Sequence, residues 1–354
     1  MKSSIETSEV VYARLQALVW PWSRTPPYDT VIPTSVDGLA QLAIHCGTIH
    51  KPLVLNCRRI TRVMSHALKP LVEVLQANPD VVVAFYDVDG ASIPRDTADE
   101  GFELSSTVAK EFDIQLSGIT AIKEWGDIPS LSIFGSRASH YAPTIRKFVT
   151  ETDQGRKVED SEIRNAFVRC YQRFPKPARL TSTPLLAGGM FRATRIIREP
   201  AQLSWTVLRL ADQLEQILDG KHGPPPQGET RLLACSRNGA ALAFCLPPLA
   251  HHLGIEGVDI VDRLGPAHCF VEDYAPFEYE PINSEVSYIY IGDFVVGGTE
   301  LRAASAHAQE RRRHLTHALC LGSVLPAHCY STDYTLVSLV ELQSLGLDLH
   351  YSLT

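Results

Sequence analysis

No run in this chain approaches the roughly 18 consecutive apolar residues of a membrane-spanning helix. The opening stretch, MKSSIETSEVVYARLQALVW, has no apolar core followed by a cleavage site, so no signal peptide and no membrane partner are expected. The eight cysteines include no CxxC pair. That excludes the usual zinc spacings and leaves no disulfide framework. Cys57, Cys170 and Cys235 sit in apolar or strand-like surroundings, where a thiol acts as a small hydrophobe. A reducing cytoplasm is the expected compartment. Positive charge is also scarce: 33 Lys and Arg against 40 Asp and Glu leave a net charge of −7. A nucleic-acid binder needs a basic surface, and none is indicated. The nearest candidate, ERRRH at Glu310–His314, reads as a solvated helix end. No internal repeat and no low-complexity tract is present.

What remains is ordinary for a soluble globular protein: 45% hydrophobic and 21% charged residues over 354 positions, enough for two domains. Glu6 to Trp20 has the spacing of a short amphipathic helix. Strand-like and helix-like segments then alternate. KPLVLNC, DVVVAFYDV and IPSLSIFG read as strands. The segment around Met64, Leu68, Leu71, Val72 and Leu75 has helical spacing, as do STVAKEFDIQ and YAPTIRKFVTET. This alternation predicts an α/β layer, Rossmann-like, over residues 1–150, with no function assigned to it. Residues 151–180 read as a helical linker: a polar stretch, a helix opening at Ser161, and the proline-punctuated connector PKPARLTSTP. Residues 181–354 resume the alternation, with a turn leading to a long helix from Pro200 and strands at TRLLAC, GVDIVDRL, YIYIGD, THALCLGSVL and LVSLVEL.

The most informative stretch is YIYIGDFVVGGTELRAASA, Tyr288–Ala306. A buried strand ends at Asp293. Val296, Gly297, Gly298 and Thr299 then turn tightly into a helix. Such a turn can aim backbone N–H groups at an anion, and the helix start adds partial positive charge. The threonine hydroxyl adds a donor, and an acid at the strand end suits sugar hydroxyls. A ribose 5-phosphate fits this set; a plain turn with a helix cap is the competing reading. A second strand–turn–helix, ACSRNGAALA, places Arg237 and Gly239 at its turn. Two such loops at the ends of parallel strands form a cleft.

From about Leu180 to Thr354 the chain resembles a type I phosphoribosyltransferase, and most of all orotate phosphoribosyltransferase. PLLAGGMFRATRIIREPAQL resembles the family's N-terminal hood. CSRNGA stands at the pyrophosphate loop, and YIYIGDFVVGGTELRAA at the phosphoribosyl-diphosphate signature. The resemblance implies a parallel sheet with flanking helices and a reaction joining a nitrogenous base to ribose 5-phosphate, with pyrophosphate expelled from magnesium-bound phosphoribosyl diphosphate. It implies Asp293 as the catalytic acid and Val296, Gly297, Gly298, Thr299 and Glu300 as the 5-phosphate loop. Ser236, Arg237, Asn238, Gly239 and Arg263 would face the pyrophosphate, and Arg192 and Arg195 the base. It also implies pairing as a dimer or within a complex.

The signature is altered at chemically important points. Gly292 replaces its first acid, Val296 and Gly297 replace hydroxyl donors, and Glu300 stands where a hydroxyl belongs. An acid in a helix's first turn is also favourable in its own right. Leu264–Ser287, the expected mobile loop, has no lysine or arginine and carries Glu272, Asp273, Glu278, Glu280 and Glu285; only Arg263 and His268 lie near. Losses of this kind each cost orders of magnitude in rate. The expected function is therefore a degenerate site that binds a nucleotide or ribose phosphate as a sensor, or a subunit of a larger complex, with stress or phage-defence assemblies as analogies. The alternative is an active transferase using magnesium and phosphoribosyl diphosphate. Elsewhere, Asp87-x-Asp89-Gly resembles the start of a haloacid-dehalogenase phosphatase, but Lys123 and Asp127 are poor complements and an Asp–Gly turn explains the motif. Ser136 and Arg137 form a polar turn that could meet an anion, and His251 and His252 suit a helix end.

Overall fold

The computed structural model describes residues 4–14, 18–19, 30–31, 36–56, 65–87, 121–124, 130–150, 154–179, 185–247, 254–261, 286–324, 333–347 and 351–353. It divides into two compact units, Met1–Asp160 and Ser161–Thr354.

The first unit contains β1 (Ser4–Glu6), β2 (Val11–Arg14), the short pair β3 (Leu18–Val19) and β4 (Thr30–Val31), α1 (Val36–Thr48), β5 (Leu53–Asn56), α2 (Ser65–Ala77), β6 (Val83–Asp87), β7 (Ala121–Glu124), β8 (Ser130–Phe134) and α3 (Ala138–Thr150). Helix α4 (Gln154–Cys170) includes the division point. The main sheet runs β1-β2-β5-β6-β8-β7. β2, β5 and β6 are parallel, while β1, β8 and β7 pair antiparallel, so the α/β layer is a mixed sheet. Val11, Leu53, Leu55, Val83 and Phe85 pack with Leu39, Ala43 and Cys46 of α1 and Leu71 and Leu75 of α2.

The helix expected over Glu6–Trp20 is not formed; β1 and β2 stand in its place. All four residues of β2 are buried because the strand lies inside the sheet, between β1 and β5. A short apolar run of this kind has no periodicity to separate strand from helix. At the carboxyl end of β2, the Tyr12 hydroxyl donates to Glu159 at 2.5 Å and Arg14 pairs with Glu159 at 3.4 Å. Asp87 ends β6, while Asp89 and Asp127 lie outside the described residues, as does the side chain of Lys123. Arg137 is committed to Asp80 at 3.0 Å. Met64, STVAKEFDIQ, His251 and His252 are also outside the described residues.

The second unit continues with β9 (Tyr171–Arg179), β10 (Leu185–Phe191), α5 (Ala193–Arg198), α6 (Pro200–Leu218), β11 (Glu229–Ala234), α7 (Arg237–Cys245), β12 (Ile255–Ile260), β13 (Val286–Val295), α8 (Thr299–Glu310), β14 (His314–Ser323), β15 (Thr335–Glu341) and β16 (Tyr351–Leu353). The segment expected to be a helical linker is thus a helix that starts at Gln154, seven residues before Ser161, followed by a strand. β9 forms despite Pro175 and Pro177 because it is the edge of the antiparallel sheet β16-β10-β9, and its register with β10 jumps between Arg173 and Ala178. The prolines occupy that irregularity, where no ladder donor is needed. LLAGGMF, expected as a turn, is β10.

The central sheet has five parallel strands in the order β12-β11-β13-β14-β15. Its central strands are buried along most of their length: the first seven residues of β13, Val286–Gly292, and the last seven of β14 are all buried, while the edge strand β12 is not. This is the pattern of a parallel sheet covered on both faces. After β11 the chain steps outward to β12, and afterwards to the other side through β13. Strand order therefore reverses between β11 and β13, and the turns leaving those two strands stand side by side at their carboxyl ends. Open α/β sheets place their ligands at such a point.

Candidate functional site

The two turns are built differently. At the first, Ser236 caps α7: its hydroxyl oxygen accepts from the Gly239 N–H at 3.1 Å. Gly239 lets α7 lie close on β13. A Cβ there would stand 2.5 Å from the Ile291 carbonyl oxygen, so no side chain fits. Between them Asn238 reaches across, and its Nδ2 donates to Asp293 Oδ2 at 2.8 Å. Arg237 is exposed and does not line the cavity described below. At the second turn, Gly298 precedes the first residue of α8 in the left-handed conformation, at φ 69° and ψ 17°. Glycine adopts this conformation without penalty.

A cavity of about 470 Å³ lies at these turns. Asp293 through Leu301 line it, with Asn238 and Tyr290, and so do Gly189 through Thr194 from the end of β10 and the start of α5. The structure therefore brings together Asp293, Val296, Gly297, Gly298, Thr299, Glu300, Asn238 and Arg192. It leaves Arg237 and Gly239 outside the lining. Arg195 is outside it too, and its Nη1 donates to the Arg169 carbonyl at 3.0 Å. Arg263 and the acidic residues Glu272, Asp273, Glu278, Glu280 and Glu285 lie outside the described residues, as does His268. Phe191 and Phe294 join the two lining segments, with ring centroids 4.8 Å apart, and Phe167 meets Phe294 edge-on at 5.2 Å.

The floor is acidic, and burial works against its ionisation. Burial pushes the Asp293 carboxyl above its ordinary value, against the hydrogen bonds from Asn238 and the Phe294 N–H, the latter at 2.7 Å. Glu300 is also pushed up, first by burial and then by the charge of Asp293. It accepts from the Tyr290 hydroxyl at 3.0 Å and from the Ser236 hydroxyl. Tyr290 itself is held well above its usual range by burial and by Glu300. Two carboxyls near each other in a partly desolvated site resist carrying two charges at once.

Tyr290 is the functional-site residue that sequence reasoning missed. Gly292 is not an open vacancy left by a lost acid. A Cβ at 292 would meet Tyr290 Cε1 at 2.5 Å and its hydroxyl oxygen at 2.8 Å, so the tyrosine ring fills that place. The available signal was the spacing: residues two apart on a strand share a face. A large residue two positions before a glycine can therefore lean over it.

The donor set does not fit a magnesium ion held by the protein. Asp293 and Glu300 are each engaged by two hydrogen-bond donors. Among the described residues no group of three His, Cys, Asp or Glu side chains converges. Among those residues, too, no helix is long and apolar enough to cross a membrane.

No family model matches the chain, and no curated protein matches it. Solved structures are similar. Orotate phosphoribosyltransferase from Aeropyrum pernix is 13% identical, over 52% of this chain and 94% of that one, with a TM-score of 0.36. The Mycobacterium tuberculosis orotate phosphoribosyltransferase, in complex with inorganic phosphate, is 13% identical over 53% and 99%, with a TM-score of 0.35. UMP synthase from Leishmania donovani is 12% identical over 94% and 76%, with a TM-score of 0.37. Such values assign no role to any residue. The observed parallel sheet, the antiparallel hood sheet and the two turns at the reversal point agree with the phosphoribosyltransferase-like fold that the sequence resemblance implied.

Proposed function

We propose that the second unit binds a nucleotide or ribose phosphate in the cavity at the ends of β11 and β13, as a sensor or as a sensing subunit of a larger assembly, without efficient transfer chemistry. One observation supports this most: Asp293, bonded to Asn238, and the Gly297–Gly298–Thr299 turn line the same cavity. The first N–H groups of α8 have no intrahelical acceptor and are available to a phosphate oxygen. The acid at the strand end is available to ribose hydroxyls. Arg192 is the one cation among the described lining residues.

Transfer is disfavoured by the same site. Tyr290 fills the place of the first acid of the signature the resemblance implies, and Glu300 puts a carboxyl beside the phosphate turn. A magnesium ion would have to arrive on the ligand's own oxygens, as it commonly does with phosphorylated substrates. The second reading, an active magnesium-dependent transferase using phosphoribosyl diphosphate, is favoured by the retention of Asp293 at the strand end.

Calorimetric titration with phosphoribosyl diphosphate and magnesium, and in parallel with common nucleotides and ribose 5-phosphate, tests both. The expected result is micromolar binding of a nucleotide or ribose phosphate with no pyrophosphate released when bases are added. Magnesium-dependent pyrophosphate release, abolished by Asp293→Asn, would establish the transferase instead. No binding of any phosphorylated ligand would overturn both and leave an interaction module.

A further inference from the structure

We propose that Glu300 couples phosphate binding in this cavity to uptake of one proton from solvent, so a ribose phosphate binds more tightly as pH falls. The inference rests on the reading of the cavity as a ribose-phosphate site.

An acid in the first turn of a helix ordinarily faces water and complements the helix's positive end from outside. Glu300 does not. It is turned inward, accepts from the hydroxyls of Tyr290 and Ser236, and lines the cavity beside Gly297, Gly298 and Thr299. Its carboxyl therefore stands at the same positive helix end that a bound phosphate would use. Two anions sharing that end repel strongly at low effective dielectric. The carboxyl can relieve this by accepting a proton, with no atom of the ligand altered. The remaining donors stay in place, because a neutral carboxyl still accepts from Tyr290 through one oxygen.

The groups around Glu300 favour that outcome. Tyr290 and Asp293 act on it from β13, Cys235 from just past β11 and Ser236 from the following turn, while Asn238 and Arg192 line the same cavity. Asp293 makes ionisation of Glu300 harder when charged, and the hydrogen bonds from Tyr290 and Ser236 work against that. Burial and Asp293 already raise the Glu300 carboxyl above its ordinary value before any ligand arrives. A bound phosphate adds negative charge and raises it further. Affinity should then increase as pH falls from the bound-state pKa towards the free-state pKa, by up to about tenfold per pH unit for one coupled proton.

The test is titration calorimetry of the full chain with ribose 5-phosphate, between pH 5.5 and 8, in buffers of different ionisation heat. The difference in heat gives the number of protons taken up. The phosphate's own second ionisation, near pH 6, contributes equally to wild type and to Glu300→Gln, so the difference between the two isolates Glu300. Expected are extra proton uptake by wild type, its loss in Glu300→Gln, and about tenfold or more tighter binding by that variant at pH 8. Tyr290→Phe removes a hydrogen bond that favours the ionised carboxylate, so it should move the midpoint of the pH profile upward. A merely structural role for Glu300 would lower affinity in both variants without changing proton number. Equal proton uptake by wild type and Glu300→Gln overturns the proposal while leaving the cavity reading intact. Absence of ribose 5-phosphate and nucleotide binding in both chains at pH 6 overturns the cavity reading, and this inference with it.

Discussion

The claim that Tyr290 fills the position opened by Gly292 predicts an unusual sign for Gly292→Ala. In a strand, replacing glycine by alanine normally stabilises, by about 0.5–1 kcal/mol, because the unfolded chain loses freedom. Here the added methyl group would stand 2.5 Å from Tyr290 Cε1, closer than side chains approach. The ring is fully buried in the strand's core and tied to Glu300, so it cannot simply swing away. Overpacking of this kind costs about 1–3 kcal/mol, and the net expectation is destabilisation by about 0.5–2 kcal/mol. The control is the same change in a Tyr290→Ala background, where the obstruction is gone. There Gly292→Ala should become stabilising, with a coupling of about 1–3 kcal/mol between the positions. Because the chain has two units, a global melt mixes their transitions. Hydrogen exchange of the β13 amides against urea reads the relevant unit directly. If Gly292→Ala stabilises β13 in the wild-type background, or the cycle shows no coupling, Tyr290 does not occupy that position and the account of the missing acid fails.

Two further outcomes follow from buried polar groups. Asn238→Ala removes the 2.8 Å donor to Asp293, which should cost about 1–3 kcal/mol at pH 7. The Asp293 pKa is raised in the folded state by burial, so the folded-state penalty on its ionised form is felt above that pKa and fades below the unfolded value. The destabilisation should accordingly shrink at pH 4, and urea midpoints at the two pH values check it. His317, 2% exposed on β14, lies under the Gly220–Gly228 loop, and neither ring nitrogen finds a partner in hydrogen-bond geometry. Burial lowers its pKa below the ordinary histidine value. A depressed histidine stabilises the fold above its unfolded pKa and loses that contribution as pH falls through the folded one. Wild type should therefore lose stability below about pH 6.5, with a slope of up to about 1.4 kcal/mol per pH unit for one proton. His317→Leu should remove that slope from urea titrations, and an unchanged slope would place the acid sensitivity elsewhere.

The parallel sheet was legible in the sequence because its strands carry short apolar runs, and two of them lead through a turn into a helix. β11, β13, β14 and β15 and helices α7 and α8 all lie where that pattern puts them. The strand β9 of the antiparallel sheet was not legible. Pro175 and Pro177 read as a connector, and only the edge position and broken register of β9 make them compatible with a strand. β2 was expected as part of an amphipathic helix over Glu6–Trp20, and only its place inside the sheet shows why all four of its residues are buried. At the site, the turn residues could be found by spacing, but not their directions. Ser236 and Asn238 turn towards the α8 turn and Asp293, while the intervening Arg237 stays exposed. An arginine beside a loop is thus not an arginine in the loop's cavity. Tyr290 escaped attention for the opposite reason: it looked like one more core residue of a buried strand.

The glycines at the two turns do not by themselves argue for a ligand. Gly239 is required for α7 to approach Ile291, and Gly298 for the chain to enter α8, whether or not anything binds. A pure scaffold of this fold would keep both. Asp293 is different. Its carboxyl lines the cavity half-buried and is pushed up by that burial, against the hydrogen bonds from Asn238 and its neighbour's N–H. A buried acid costs stability relative to an apolar residue of similar size unless fully compensated. Glu300, nearby, adds to that cost by repulsion. A chain selected only for packing would relieve it with one substitution. An acid held at a strand end, in a cavity, at a cost to the fold is the arrangement expected where stability is traded for binding. That asymmetry between the glycines and Asp293 favours a ligand-binding unit over an interaction module with an empty shape.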